Sequence, residues 1–69
     1  MRNSITVRRK KLKLSQAEIA ELAKVTRQTI NAIENDKYDP SLTLAFKLAE
    51  VLNTTVDTLF DYETKEASK

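Results

Sequence analysis

Five closely spaced residues, Thr26, Arg27, Gln28, Thr29 and Asn31, carry side chains built for hydrogen bonding. The arginine fork donates to paired acceptors, and the two amides donate and accept side by side. That is chemistry suited to the polar edges of bases and to phosphates. It is not the chemistry of a catalytic site. The chain has no His and no Cys, so zinc fingers, disulfides, thiol nucleophiles and imidazole acid–base chemistry are excluded. With no Gly there is no phosphate-cradling glycine loop, and 69 residues leave little room to enclose a substrate. No enzyme, cofactor or metal is therefore expected.

Charge points the same way. Residues 1–37 hold nine Lys or Arg against four acids, a net of +5; residues 38–69 hold three against six, a net of −3. A basic half that also carries the amide and guanidinium cluster suits a polyanion. A solvated basic helix face is the plainer reading of the charge alone. No apolar run reaches the roughly 18 residues that span a membrane, and no signal peptide is visible, so a cytoplasmic protein without a membrane partner is expected.

The elements that must position the cluster can be read from caps and periodicity. One domain over residues 1–62 is expected, all-α, followed by a polar, disordered tail at 63–69. Asn3 or Ser4 can cap a first helix running to about Lys13, with Ile5 and Leu12 sharing its inner face and Leu14 entering the core. Ser15-Gln16-Ala17-Glu18 is a capping box that opens a second helix to about Ala23. Ile19, Leu22 and Ala23 form its buried stripe, and Ala20 permits a close neighbour. Lys24-Val25 is a turn, Thr26 caps a third helix, and Ile30 and Ile33 face inward. Asn35-Asp36 ends it, because Asn tolerates the left-handed conformation. After the Lys37–Pro40 loop, Ser41 caps a fourth helix whose stripe is Leu44, Leu48 and Val51, widened by Ala45, Ala49 and Leu52. Asn53 ends that helix, and Thr54-Thr55-Val56-Asp57 reads as a second capping box before a short fifth helix. Phe60-Asp61-Tyr62 alternates apolar and polar residues and admits a short strand paired with the start of the chain.

In this order, Ser15-Gln16, Ile19-Ala20, Val25 to Ile30, Ile33-Glu34-Asn35, Lys37-Tyr38-x-Pro40-Ser41-Leu42 and Leu59-Phe60 resemble the helix-turn-helix regulators of the Cro/cI (XRE) type. The likeness covers roughly residues 5–60, with the helix-turn-helix itself at 15–35, and is closest to short members made of this domain alone. It implies a compact five-helix, lambda-repressor-like fold, with the second helix across the DNA backbone and the third in the major groove.

The resemblance also assigns roles. Gln16 would contact a phosphate through its amide and the start of its helix. Arg27 and Gln28 would read bases, Arg guanine and Gln adenine, although Arg27 can instead clamp a phosphate. Thr26 can cap and donate to a phosphate; Thr29 can touch a thymine methyl or a phosphate, or simply pack. Asn31, one turn on, would reach a base or the backbone, and Lys37 a phosphate. Lys10, Lys11 and Lys13 would widen the basic footprint. Arg9 would form a structural ion pair with Glu34. Three positions depart from the family: Lys24 and Asp36 stand where relatives often have Gly, and Arg8 stands where an apolar residue is common.

Apolar surface near the end of the chain suggests a two-fold partner, with Val56, Leu59 and Tyr62 at the interface of a homodimer. The expected function is a sequence-specific regulator on double-stranded DNA, most simply a repressor at a palindromic operator. An antitoxin, a phage Cro-like autorepressor or a protein-interaction adaptor on the same fold are the other readings. With no room for a ligand-sensing domain, control would fall to concentration, weak dimerisation or a regulatory partner protein.

Overall fold

The computed structural model of the chain describes residues 2–61. Five helices, α1 (Ile5–Lys11), α2 (Gln16–Ala23), α3 (Arg27–Glu34), α4 (Leu42–Val51) and α5 (Val56–Leu59), are closed by two short strands, β1 (Arg2–Asn3) and β2 (Phe60–Asp61). The strands pair antiparallel, with Arg2 opposite Asp61 and Asn3 opposite Phe60. Ser4 adds a backbone bond to the Leu59 carbonyl at 2.9 Å. The two ends of the described chain are thereby joined, and the helices wrap one core of Ile5, Ile19, Ile30, Ile33, Leu44, Leu48, Leu52, Leu59, Phe60 and four alanines.

The helices begin where the side chains dictate. Ser15 accepts the Glu18 N–H while Glu18 accepts the Ser15 N–H, which completes the capping box of α2. Thr26 takes the Thr29 N–H for α3, and Ser41 takes the Leu44 N–H for α4. At α1 the work falls to Asn3, whose Oδ1 accepts the Ile5 N–H while its Nδ2 donates to the Ile33 carbonyl.

The helix ends share one device. Lys13, Lys24, Asp36 and Asn53 all adopt φ near +60°. At each, the left-handed residue bonds back three positions and its successor bonds back five: Leu14 to Arg9, Val25 to Ala20, Lys37 to Ala32 and Thr54 to Ala49. This is the Schellman closure, repeated four times, and in every copy a residue other than glycine holds the left-handed place.

Several expectations need correction. α1 stops at Lys11, so Leu12 lies past the helix and is exposed instead of sharing the face of Ile5. In α2, Leu22 is 56% exposed; the buried positions are Ile19, Ala20 and Ala23. At about 100° per residue these three centre on a direction about 110° from Leu22. The small alanines occupy the tight side. Asp36, not Asn35, takes the left-handed position after α3. Thr54 is spent closing α4, so Thr55 becomes the N-cap of α5, with no side-chain bond to a helical N–H. Val51 is half-buried. Arg8, at the position where an apolar residue is common, is half-buried, and its Nε donates to the Ser4 hydroxyl one turn back. The expected tail at 63–69 lies outside the described residues.

Candidate nucleic-acid interface

α2 and α3 are held together by a buried carboxylate. Glu34, the last residue of α3, is 5% exposed in its side chain and pairs with Arg9 of α1 at 2.9 Å. The Arg9 Nη2 adds a second bond to it at 3.3 Å, while Nη1 donates to the Leu14 carbonyl. Thr6 donates to Glu34 Oε1 at 2.8 Å, and Gln16 Nε2 donates to the same oxygen at 3.0 Å. Three elements, α1, α2 and α3, thus converge on one group. Burial alone would push the Glu34 carboxyl up. The hydrogen bonds from Arg9, Gln16 and Thr6, with the charge of Arg9, outweigh that and hold it below the ordinary glutamate value.

From this anchor α3 turns its other side to solvent. Arg27, Gln28 and Asn31 are all exposed, while Ile30 and Ile33 are buried. Beside them lies the start of α2. An open cleft of about 450 Å³ is lined by Arg9, Ser15, Gln16, Ala17 and Arg27. The N–H groups of Gln16 and Ala17 belong to the first turn of α2 and have no acceptor within the helix. Of the two guanidinium groups at this cleft, that of Arg9 is already engaged by Glu34 and the Leu14 carbonyl, whereas Arg27 is exposed.

The expected contact residues fall as follows. Gln16 begins α2 as expected, but its side-chain N–H groups are committed to Glu34 and, at 3.5 Å, to Asn31 Oδ1. What it leaves open toward the cleft is its backbone N–H. Thr26 and Thr29 hydroxyls lie 3.1 Å apart and bond each other, and Thr29 is half-buried. Lys37 is exposed just after the closure of α3. Lys10, Lys11 and Lys13 are exposed around the end of α1. Of the residues assigned to a dimer, Val56 is half-buried and lines a shallow cleft with Phe46, Ala49, Glu50, Thr54 and Thr55. Leu59 is 1% exposed and fills the core, so it has no surface to offer a second copy. Tyr62 lies outside the described residues.

Two contributors were missed. Thr6 precedes Arg9 by three residues, the spacing that puts both on one helix face, and this alone could have flagged it. Asn35 donates to both the backbone and side-chain oxygens of Asn31, a bond pair that only its position four residues on could have suggested.

A capped α2, a left-handed turn at Lys24, and a third helix with its polar side bare describe a known arrangement. The sequence pattern of the helix-turn-helix family matches residues 7–59. The chain belongs to that family. Within it the chain is of the XRE type, and its relatives are transcriptional regulators. An uncharacterised HTH-type transcriptional regulator of Methanocaldococcus jannaschii is 44% identical over 66 residues, which are 96% of this chain and the whole of that one. Among solved structures, the N-terminal DNA-binding domain of SinR from Bacillus subtilis superposes with a TM-score of 0.75 at 32% identity, covering 88% of this chain and 90% of that domain. SinR in its complex with SinI matches at a TM-score of 0.76 and 30% identity, over 93% of this chain and 67% of that one. This helix-turn-helix domain is also similar to part of hydroxypropylphosphonic acid epoxidase from S. wedmorenis, with a TM-score of 0.74 and 31% identity. There the match covers 83% of this chain but only 30% of the epoxidase. Among the described residues no helix is long and apolar enough to cross a membrane.

Proposed function

We propose that this chain is a cytoplasmic, sequence-specific transcriptional repressor that binds a palindromic operator as a homodimer, with α3 in the major groove. The observation that carries the reading is the division of α3. One side is pinned by Ile30, Ile33 and Glu34, and the other presents Arg27, Gln28 and Asn31 to solvent beside the cleft at the start of α2. Arg27 and Gln28 read base edges. The free N–H groups of α2, with Lys37, hold phosphates and set the docking. Gln16 supplies that contact from its backbone, since its side chain is occupied. Two copies would read half-sites about one turn of DNA apart. Val56 and the cleft around Phe46 are the surface for the second copy, with Leu59 removed from it.

Selection of bound DNA from a random pool, repeated at two salt concentrations, tests this. An enriched palindrome and an affinity that falls steeply with salt are expected, each phosphate contact adding roughly 0.9 to the log–log slope. Enrichment of nothing, or binding indifferent to sequence, would overturn the reading.

A second reading keeps the DNA contact and adds a regulatory protein. It is favoured by the likeness to SinR, which has been solved with SinI. Co-purification of a stoichiometric partner that weakens operator binding would support it. Enzymatic activity is not part of either reading, since the chain corresponds to under a third of the epoxidase it resembles.

A further inference from the structure

The orientations of three side-chain amides around α3, those of Gln16, Asn31 and Asn35, are fixed by groups that can only accept. Asn35 Nδ2 lies 2.8 Å from the backbone carbonyl of Asn31. A carbonyl has no proton to give, so the Asn35 atom there is its nitrogen. That same nitrogen lies 2.7 Å from a side-chain atom of Asn31, which must then be the oxygen. From the other direction, Gln16 Nε2 lies 3.0 Å from the Glu34 carboxylate, which also only accepts while ionised. The same nitrogen faces Asn31 Oδ1 at 3.5 Å. Two independent anchors give one answer. The Asn31 oxygen faces two donors, Asn35 at 2.7 Å and Gln16 at 3.5 Å, and neither hydrogen of its NH2 group is bonded among the described residues.

We infer that Asn35 makes Asn31 a donor-only reader, so that the base beneath Asn31 is guanine and not adenine. Asparagine pairs with adenine by accepting from N6 and donating to N7, which needs its oxygen free. Here the oxygen is taken. Guanine presents O6 and N7, two acceptors side by side, which match an unbonded NH2. Asn35 is a positioning residue in this scheme: it touches no base and sets preference through Asn31. The inference rests on the reading of α3 as the groove helix and adds to it the identity of one base.

The test is selection from a random pool with the wild type, Asn31→Ala and Asn35→Ala, each checked for folding by circular dichroism. The position read by Asn31 is the one that Asn31→Ala makes indifferent. Guanine is expected there in the wild type. Asn35→Ala frees the amide to turn over, so adenine should gain on guanine at that position by about tenfold, with other positions unchanged. A wild-type preference for adenine at that position overturns the inference. So does an Asn31→Ala variant that relaxes no position of an otherwise enriched site, or an Asn35→Ala variant that weakens all sites evenly with the base ratio intact. In these three outcomes the regulator reading survives. If the wild type enriches no sequence at all, that reading fails and takes this inference with it.

Discussion

On the α2–α3 side of the molecule, polar side chains are joined to one another. Glu34 receives Arg9, Thr6 and Gln16, and Gln16 in turn reaches Asn31. On the α4 side, Leu42 and Phe46 stand 68% and 58% exposed one turn apart, and Phe46 borders the cleft that Val56 lines. The two sides enclose one core yet are finished differently. A surface that presents oriented donors suits a partner with fixed acceptors. A surface that presents bare apolar groups suits a partner that can cover them. The difference also separates where stability is made. The α2–α3 side depends on a few interlocked polar groups, whereas the outer residues of α4 can change without disturbing the core.

The sharpest way to break this contrast is to remove Glu34. Glu34→Ala leaves the Arg9 charge without its partner in a half-buried site and should cost about 3–5 kcal/mol, enough to unfold a domain this small. Phe46→Ser on the other side should stay within about 0.5 kcal/mol as a monomer. Thermal melts followed by circular dichroism measure both, and equal losses would erase the distinction. Acid asks the same question without a mutation. The Glu34 carboxyl is held below its ordinary value when folded, so at low pH the unfolded chain takes up its proton first. The contribution of Glu34 is complete above the ordinary glutamate range and is lost as pH falls through the folded value. Urea midpoints of the wild type should therefore drop over that acid range, while those of Glu34→Gln should change less from this group.

Smaller effects sharpen the picture on the solvent side of α3. Arg27→Ala should weaken operator binding by about 1–3 kcal/mol and relax one position of the site, with the melting temperature unchanged. A uniform loss across sequences would instead mark Arg27 as a phosphate clamp. Smallest is Lys24→Gly. It removes a left-handed cost of roughly 1 kcal/mol and should raise the melting temperature by several degrees. A lower temperature would mean that the Lys24 side chain contributes packing that outweighs the strain.

Much of the frame was legible before any coordinates. Ser15 and Glu18, Thr26 and Ser41 announce helix starts through bonds that reach only three residues, and such local chemistry is written in the sequence. The Lys24-Val25 turn was legible from its place between two capped helices, and the Arg9–Glu34 pair by resemblance. What the sequence hid depends on which of two close neighbours wins a place. Leu22 looked buried because it is large and correctly spaced, but the contact of α2 with its neighbours needed Ala20 and Ala23. Thr54 and Thr55 are equally good caps, and the choice was made by the closure of α4 upstream. Leu59 is assigned to a dimer from the amount of apolar surface near the end of the chain; the β1–β2 pairing beside it shows that the chain ends enclose it within one copy. The amide network around Asn31 was invisible because it links α2 to α3 through side chains with several rotamers each.

The four left-handed closures have a consequence in a state that no folded structure depicts. A chain with no glycine has fewer backbone conformations to lose when it folds. The strain at Lys13, Lys24, Asp36 and Asn53 is thus set partly against a stiffer unfolded ensemble. Replacing any of them with glycine should yield less than the relief of strain alone, because the glycine also loosens the unfolded chain. The closures are also local, made of bonds no more than five residues long. Helix ends of that kind can form early, before distant segments meet, and they favour rapid folding. A domain stiff in both states and closed by short-range bonds can return quickly to its folded geometry each time it opens.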